Sequence, residues 1–246
     1  MLVIIIISEM KNILKMKDAL LDILFPPICL HCKNSLSAEE KSSRICGTCV
    51  AQISIHTTLF CARCRARLPE NKKICHRDMP YMLAAAVNYD GPVKDLIHQL
   101  KYRHWTTLTD IIRPIIYAYV KNLALPVEDY VIVPIPLHPE RLRERGFNQA
   151  ELIGSIISEA LGLPMAADAL ERIKKTKSQA ELKNYAERSN NVTGAFRVKQ
   201  NDAIWSKNII LVDDVYTSGA TINDAMRSLR EAGAKKVIAF VLAKTR

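Results

Sequence analysis

A chain of 246 residues with 49% apolar and 24% charged side chains has the hydrophobic mass for a packed core, which excludes wholesale disorder. A net charge of +10 favours polyanionic partners, either nucleic acid or phosphate-rich ligands, without choosing between them.

The opening apolar run, residues 2–7, is too short to span a membrane. No basic stretch precedes it and no small-residue cleavage site follows, so neither a membrane span nor a secreted form is expected. Residues 1–15 read as an upstream extension, and Met16 opens a more ordinary amphipathic start.

The seven cysteines all lie before residue 80: Cys29, Cys32, Cys46, Cys49, Cys61, Cys64 and Cys75. Three pairs have C-x-x-C spacing ("CLHC", "CGTC", "CARC"), which lets two thiolates on one turn reach the same ion, and two such turns complete a tetrahedral site for structural Zn²⁺. An odd count without an export signal argues against the alternative, a disulfide framework. The simplest pairing is sequential, with Cys29, Cys32, Cys46 and Cys49 around one ion. A second ion would take Cys61, Cys64 and Cys75 with either Asp78 or the adjacent His76, and an interleaved pairing stays open. Such a module is too poor in apolar residues to fold without its metal.

After Pro80 strands and helices alternate. "MLAAAVNYD" reads as a strand, "VKDLIHQLKY" as a helix, and "TDIIRPIIYAYVKNLA" as a helix with Pro114 as a kink or an early position. "DYVIVPIP" is a short strand stopped by prolines, and "NQAELIGSIISEALGL" carries a helical apolar stripe. "NIILVDD" and "VIAFVLAK" are apolar on both faces, as central parallel strands are. Between them "TINDAMRSLREAGAKK" is a helix that Gly233 is placed to end. This alternation predicts an α/β fold, a parallel sheet flanked by helices.

Ligands of open parallel sheets bind beyond the carboxyl ends of the strands, where Asp213 and Asp214 stand. Thr217, Ser218, Gly219, Ala220 and Thr221 then lead into a helix. Free N–H groups at a helix start hold phosphate, small residues let the backbone approach, and hydroxyls add donors. The carboxylates need donors or cations of their own, which a sugar's vicinal hydroxyls or Mg²⁺ supply. Together these residues describe a site for a ribose 5-phosphate. The bland alternative is a capped helix start with two acids near its positive end.

"IILVDDVYTSGAT" resembles the phosphoribosyl-diphosphate (PRPP) signature of type I phosphoribosyltransferases. With "VPIPLHPERLRERGFNQAELI", "SQAELKNYAERSNNVTGAF" and the cysteine-rich front, it is similar to the competence protein F (ComF) family, including its GntX-like members, from about Met16 onward. The resemblance implies a zinc-binding, double zinc-ribbon-like module over residues 16–80 and a type I phosphoribosyltransferase fold over 81–246. It gives the ribose hydroxyls to Asp213 and Asp214 and the 5-phosphate to Thr217, Ser218, Gly219, Ala220 and Thr221. Mg²⁺ would accompany PRPP, and Asp214 is the candidate to accept a proton. Residues 137–145 would meet pyrophosphate, Arg141 and Arg145 offering forked donors. Residues 172–191 would be a hood over the ligand, with Lys174, Lys175, Thr176 and Gln179 as candidates to touch it. Asp78 departs from the family by standing where an eighth cysteine would be.

The resemblance also implies a cytoplasmic role in DNA uptake and natural transformation. The partners would be single-stranded DNA and a DNA-uptake helicase or other competence proteins. An active phosphoribosyltransferase on an unknown acceptor, without a DNA role, is the other reading.

Overall fold

The computed structural model describes residues 22, 24–68, 75–76, 81–100, 105–123, 129–175, 193–199 and 202–245. The expected extension (residues 1–15), Asp78, and Thr176 and Gln179 of the expected hood lie outside the described residues.

The chain divides into two compact units, Met1–Gln52 and Ile53–Arg246. In the first, a short helix, α1 (Gly47–Val50), follows Cys46. Glu40 braces this turn by accepting from Gly47 N at 2.6 Å and Ser37 N at 3.0 Å.

The second unit is built on a six-stranded sheet of order β2-β1-β3-β8-β7-β4. Its strands are β1 (Leu59–Cys61), β2 (Arg67–Leu68), β3 (Met82–Asn88), β4 (Tyr130–Pro134), β7 (Asn208–Tyr216) and β8 (Lys236–Lys244). The four strands β3, β8, β7 and β4 run parallel, whereas β1 pairs antiparallel with both β2 and β3. The sequence dictates this centre: β8 is buried at every position after Lys236, and β7 is buried from Ile209 to Val212. Strands covered on both faces read as continuous apolar runs. A separate antiparallel pair joins β5 (Leu170–Arg172) to β6 (Phe196–Val198).

The parallel strands are connected by α2 (Gly91–Gln99), α3 (Trp105–Leu123), α4 (Pro139–Arg145), α5 (Gln149–Leu161) and α6 (Ala220–Glu231). Because α3 begins at Trp105, Pro114 falls in its interior and not in its first turn. On α5, Ile153, Ile156 and Ile157 are fully buried, each worth roughly 1.5–3 kcal/mol against exposure. Asn148 caps α5 by accepting from Ala150 N at 3.1 Å, and its amide donates to Ile135 O at 3.1 Å, which pins the helix start to the end of β4. At Gly154 the helix approaches β4 so closely that a Cβ would lie 3.4 Å from Ile132.

The expected module boundary at residue 80 differs from the division at Gln52/Ile53. The reason is pairing and packing. Phe60 and Cys61 pair with Leu83 and Met82, and Phe60 and Ala62 enter the same core as Leu83, Val133, Leu211 and Val241. Residues around the second cysteine group are thus built into the α/β unit.

Candidate functional site

All seven thiols are free, and they fall into two groups. Around a tetrahedral zinc with sulfur ligands near 2.3 Å, sulfurs stand about 3.8 Å apart. In the first group Cys29 and Cys49 sulfurs are 3.8 Å apart and those of Cys32 and Cys46 are 3.6 Å apart. The spacing is that of a closed four-thiolate site, in sequential pairing. In the second group Cys64 Sγ lies 3.3 Å from Cys75 Sγ, and His76 Nδ1 lies 3.5 Å from Cys61 Sγ and 3.1 Å from Cys75 Sγ. His76 is therefore the fourth donor among the described residues. Burial opposes ionisation of Cys61, but N–H donors and neighbouring groups outweigh it and bring the thiol down to about 6. Hydrogen bonds with Cys61 and Cys64, ahead of burial, push Cys75 up to about 12. A divalent ion reverses that penalty by holding the three cysteines as thiolates.

The second feature lies at the carboxyl end of β7. The strand does not end on its two acids. It continues to Tyr216, which pairs with Lys244, and Thr245 N donates to Tyr216 O at 3.0 Å. Asp213 and Asp214 thus stand on the last residues of a central strand, both partly exposed. Asp214 N donates to Asp213 Oδ1 at 2.9 Å. Burial, then repulsion from Asp214, raises the Asp213 carboxyl well above its ordinary range. Two carboxylates placed so close call for a donor or cation between them.

Beyond Tyr216 the chain turns through Thr217, Ser218 and Gly219 into α6. Gly219 is the N-cap with φ +77, a left-handed conformation that favours glycine, and Ser218 Oγ accepts from Ala220 N at 3.4 Å. A shallow, solvent-open hollow lies against this turn, lined by Asp213 and by residues from Val215 to Ile222, with Thr217, Ser218, Gly219, Ala220 and Thr221 among them. First-turn amides and hydroxyls at a helix start make it suited to an oxyanion.

The turn rests on the second cysteine group. Tyr216 Oη donates to Ala62 O at 2.6 Å, and the Arg65 guanidinium donates to Thr217 O at 2.5 Å and Thr245 Oγ1 at 3.0 Å.

Basic groups lie on α4 and β5. Arg141 and Arg145 lie on α4, which His138 caps by accepting from Glu140 N. Arg145 donates to Gln149 Oε1 at 3.2 Å. Arg172, at the end of β5, sits 5.2 Å over the Phe196 ring. Burial and then Arg141 lower its pKa, while Asp213 and Asp224 act in the opposite sense. Arg172 thus lies within electrostatic reach of both the arginines of α4 and Asp213. It was hidden in the sequence as the first cation of a charged stretch, with nothing in its spacing to set it apart.

Lys174, expected at the ligand, donates from Nζ to Thr193 O at 2.8 Å, bridging the two ends of the segment between β5 and β6. Lys175 forms an ion pair with Glu140. Asp224, buried on α6, accepts from Gly194 N and Ala195 N at 2.8 Å each and pairs with Arg227. These contacts fix the neck of the expected hood beside the turn.

Parallel strands, paired acids on the central one and an anion-suited helix start define a phosphoribosyltransferase-like protein that also carries a double zinc ribbon. Comparison with known proteins agrees. The family model for the phosphoribosyl transferase domain matches residues 148–246, and that for the double zinc ribbon domain matches residues 20–78. Competence protein ComFC of Streptococcus pneumoniae is 30% identical over 217 residues, 88% of this chain and 87% of the relative. Competence protein F of Haemophilus influenzae is 27% identical over 229 residues, 88% of this chain and 96% of the relative. The DNA utilization protein YhgH of Escherichia coli is 27% identical over 222 residues, 89% of this chain and 90% of the relative. The chain belongs to the ComF family.

Proposed function

We propose that this protein binds PRPP, or a closely related ribose phosphate, with Mg²⁺, and serves DNA uptake by handling single-stranded DNA in the cytoplasm. The observation that carries the reading is the hollow between Asp213 and the start of α6. In this reading the 5-phosphate takes the amides and hydroxyls of residues 217–221, and the ribose hydroxyls donate to Asp213 and Asp214. Arg141, Arg145 and Arg172 face the pyrophosphate.

The donor set suits Mg²⁺: two hard carboxylates, one of them raised in pKa by burial and by the other. The ion would neutralise the pyrophosphate and the acid pair together. If transfer follows, Asp214 takes the nucleophile's proton, and the basic residues hold the leaving pyrophosphate while the segment after β5 limits water.

The nucleic-acid side rests on a net charge of +10 and on relatives named for competence and DNA utilization. Cytoplasmic placement agrees with zinc ligands that must stay reduced.

Titration calorimetry with PRPP and Mg²⁺ tests the ligand. The wild type binds, and Asp213→Ala combined with Asp214→Ala abolishes binding with zinc content unchanged. Retention of wild-type affinity by the double variant overturns the site. Salt-dependent retention of single-stranded DNA without pyrophosphate release supports the uptake role, whereas pyrophosphate release with a small acceptor and no DNA retention supports the transferase.

A further inference from the structure

The residues between the first two ligands of the second zinc group form the floor of the phosphate turn. Cys61 and Cys64 bracket Ala62, whose carbonyl accepts from Tyr216 Oη at 2.6 Å. Arg65 follows Cys64 directly and is held at φ +60, a conformation that non-glycine residues seldom adopt. A closed turn imposes it: Arg65 N donates to Cys61 O at 2.8 Å, and Cys61 N donates to Ala66 O at 2.9 Å. From that turn the guanidinium reaches Thr217 O at 2.5 Å, in the phosphate turn, and Thr245 Oγ1 at 3.0 Å, beyond the end of β8. The Tyr216 ring fills the space beneath Gly219, where an added Cβ would lie 2.7 Å from Tyr216 Cζ.

From this we propose that Arg65 is a positioning residue for the phosphate turn, and that metal at Cys61, Cys64, Cys75 and His76 is thermodynamically linked to the shape of residues 216–221. A ribbon turn shaped by metal aims the guanidinium and presents the Ala62 carbonyl. Both hold backbone and side-chain groups of the turn from behind. Linkage is reciprocal, so an anion in the turn tightens the binding of metal to this group. The part that concerns PRPP rests on the functional reading above.

The test uses the full-length zinc-loaded protein, with Arg65→Ala, Arg65→Lys and Tyr216→Phe. Amide hydrogen exchange reads the turn directly, with no ligand present. Exchange at residues 217–222 quickens about tenfold or more in Arg65→Ala and in Tyr216→Phe, while α5 exchanges as in the wild type and both zinc ions remain. Arg65→Lys restores little of the protection, because one ammonium cannot reproduce two directed bonds to Thr217 and Thr245. Calorimetry with PRPP and Mg²⁺ then shows at least tenfold weaker binding in Arg65→Ala. Unchanged exchange across 217–222 in both Arg65→Ala and Tyr216→Phe overturns the proposal whatever the ligand result. Quickened exchange in a protein whose wild type ignores PRPP supports the positioning role and refutes the ligand reading instead.

Discussion

Replacing Gly219 with alanine introduces one methyl group at the point where the phosphate turn meets its support. Two costs follow from the geometry. Gly219 has φ +77, and holding alanine there costs about 1 kcal/mol. The new Cβ would also lie 2.7 Å from Tyr216 Cζ and 3.0 Å from Cε2, closer than real Cβ contacts, so the ring must move. Moving it breaks the 2.6 Å bond from Tyr216 Oη to Ala62 O and strands a carbonyl on a residue only 3% exposed. That loss adds about 2 kcal/mol. A total near 3 kcal/mol predicts a fall in Tm of roughly 6–12 °C for a domain of this size. If only the native turn binds the ligand, affinity for PRPP drops about 100-fold.

Gly162→Ala is the internal control. Its φ is +67 and nothing lies within 4 Å of the added Cβ. It therefore carries the conformational cost alone, roughly 2–4 °C, with no change in ligand binding. Thermal melts and calorimetry on the two variants decide the matter. Equal melting of the two variants, with wild-type PRPP affinity in Gly219→Ala, would refute the packing of Tyr216 beneath the turn.

Asp213→Asn trades function for stability. The raised carboxyl pKa means that the folded chain holds a proton the unfolded chain has released, so stability falls as pH rises from the ordinary value near 3.8 through the raised one. The variant should melt higher than the wild type at neutral pH, show a flatter Tm against pH in that window, and lose PRPP binding. Atomic absorption should find two zinc ions per chain, with one lost in Cys29→Ser and one in Cys61→Ser, as the two ligand groups require. Asp224→Asn weakens the paired 2.8 Å bonds from Gly194 and Ala195, at a cost of about 2 kcal/mol, and a melt should register a drop of roughly 4–8 °C.

The strand and turn that carry the candidate site were legible in the sequence because their elements are consecutive: a buried run, two acids, then hydroxyls and a glycine. Strand continuation to Tyr216 was not, since Val215 and Tyr216 extend the pattern only once β8 supplies Lys244 as a partner. Spacing made sequential pairing of the cysteines the simplest reading but left an interleaved one open, and it left His76 and Asp78 level. Among the described residues, His76 is the one whose ring nitrogen stands beside Cys61 and Cys75. The strands β1 and β2 are three and two residues long, below the length at which alternation is readable. Their union with β3 puts the compact division at residue 52, inside the expected module of residues 16–80. Arg65 and Thr217 are 152 positions apart, and no local pattern announces such a contact. Arg172 gained its place for the same reason, through β5 pairing with β6 beside the site.

The most direct measurement is a crystal structure of the protein soaked with PRPP and Mg²⁺. Difference density should place the 5-phosphate on the amides of residues 218–221 and the ribose hydroxyls within hydrogen-bond reach of Asp213 and Asp214. Density for the sugar anywhere else, with that hollow filled only by solvent, would contradict the account.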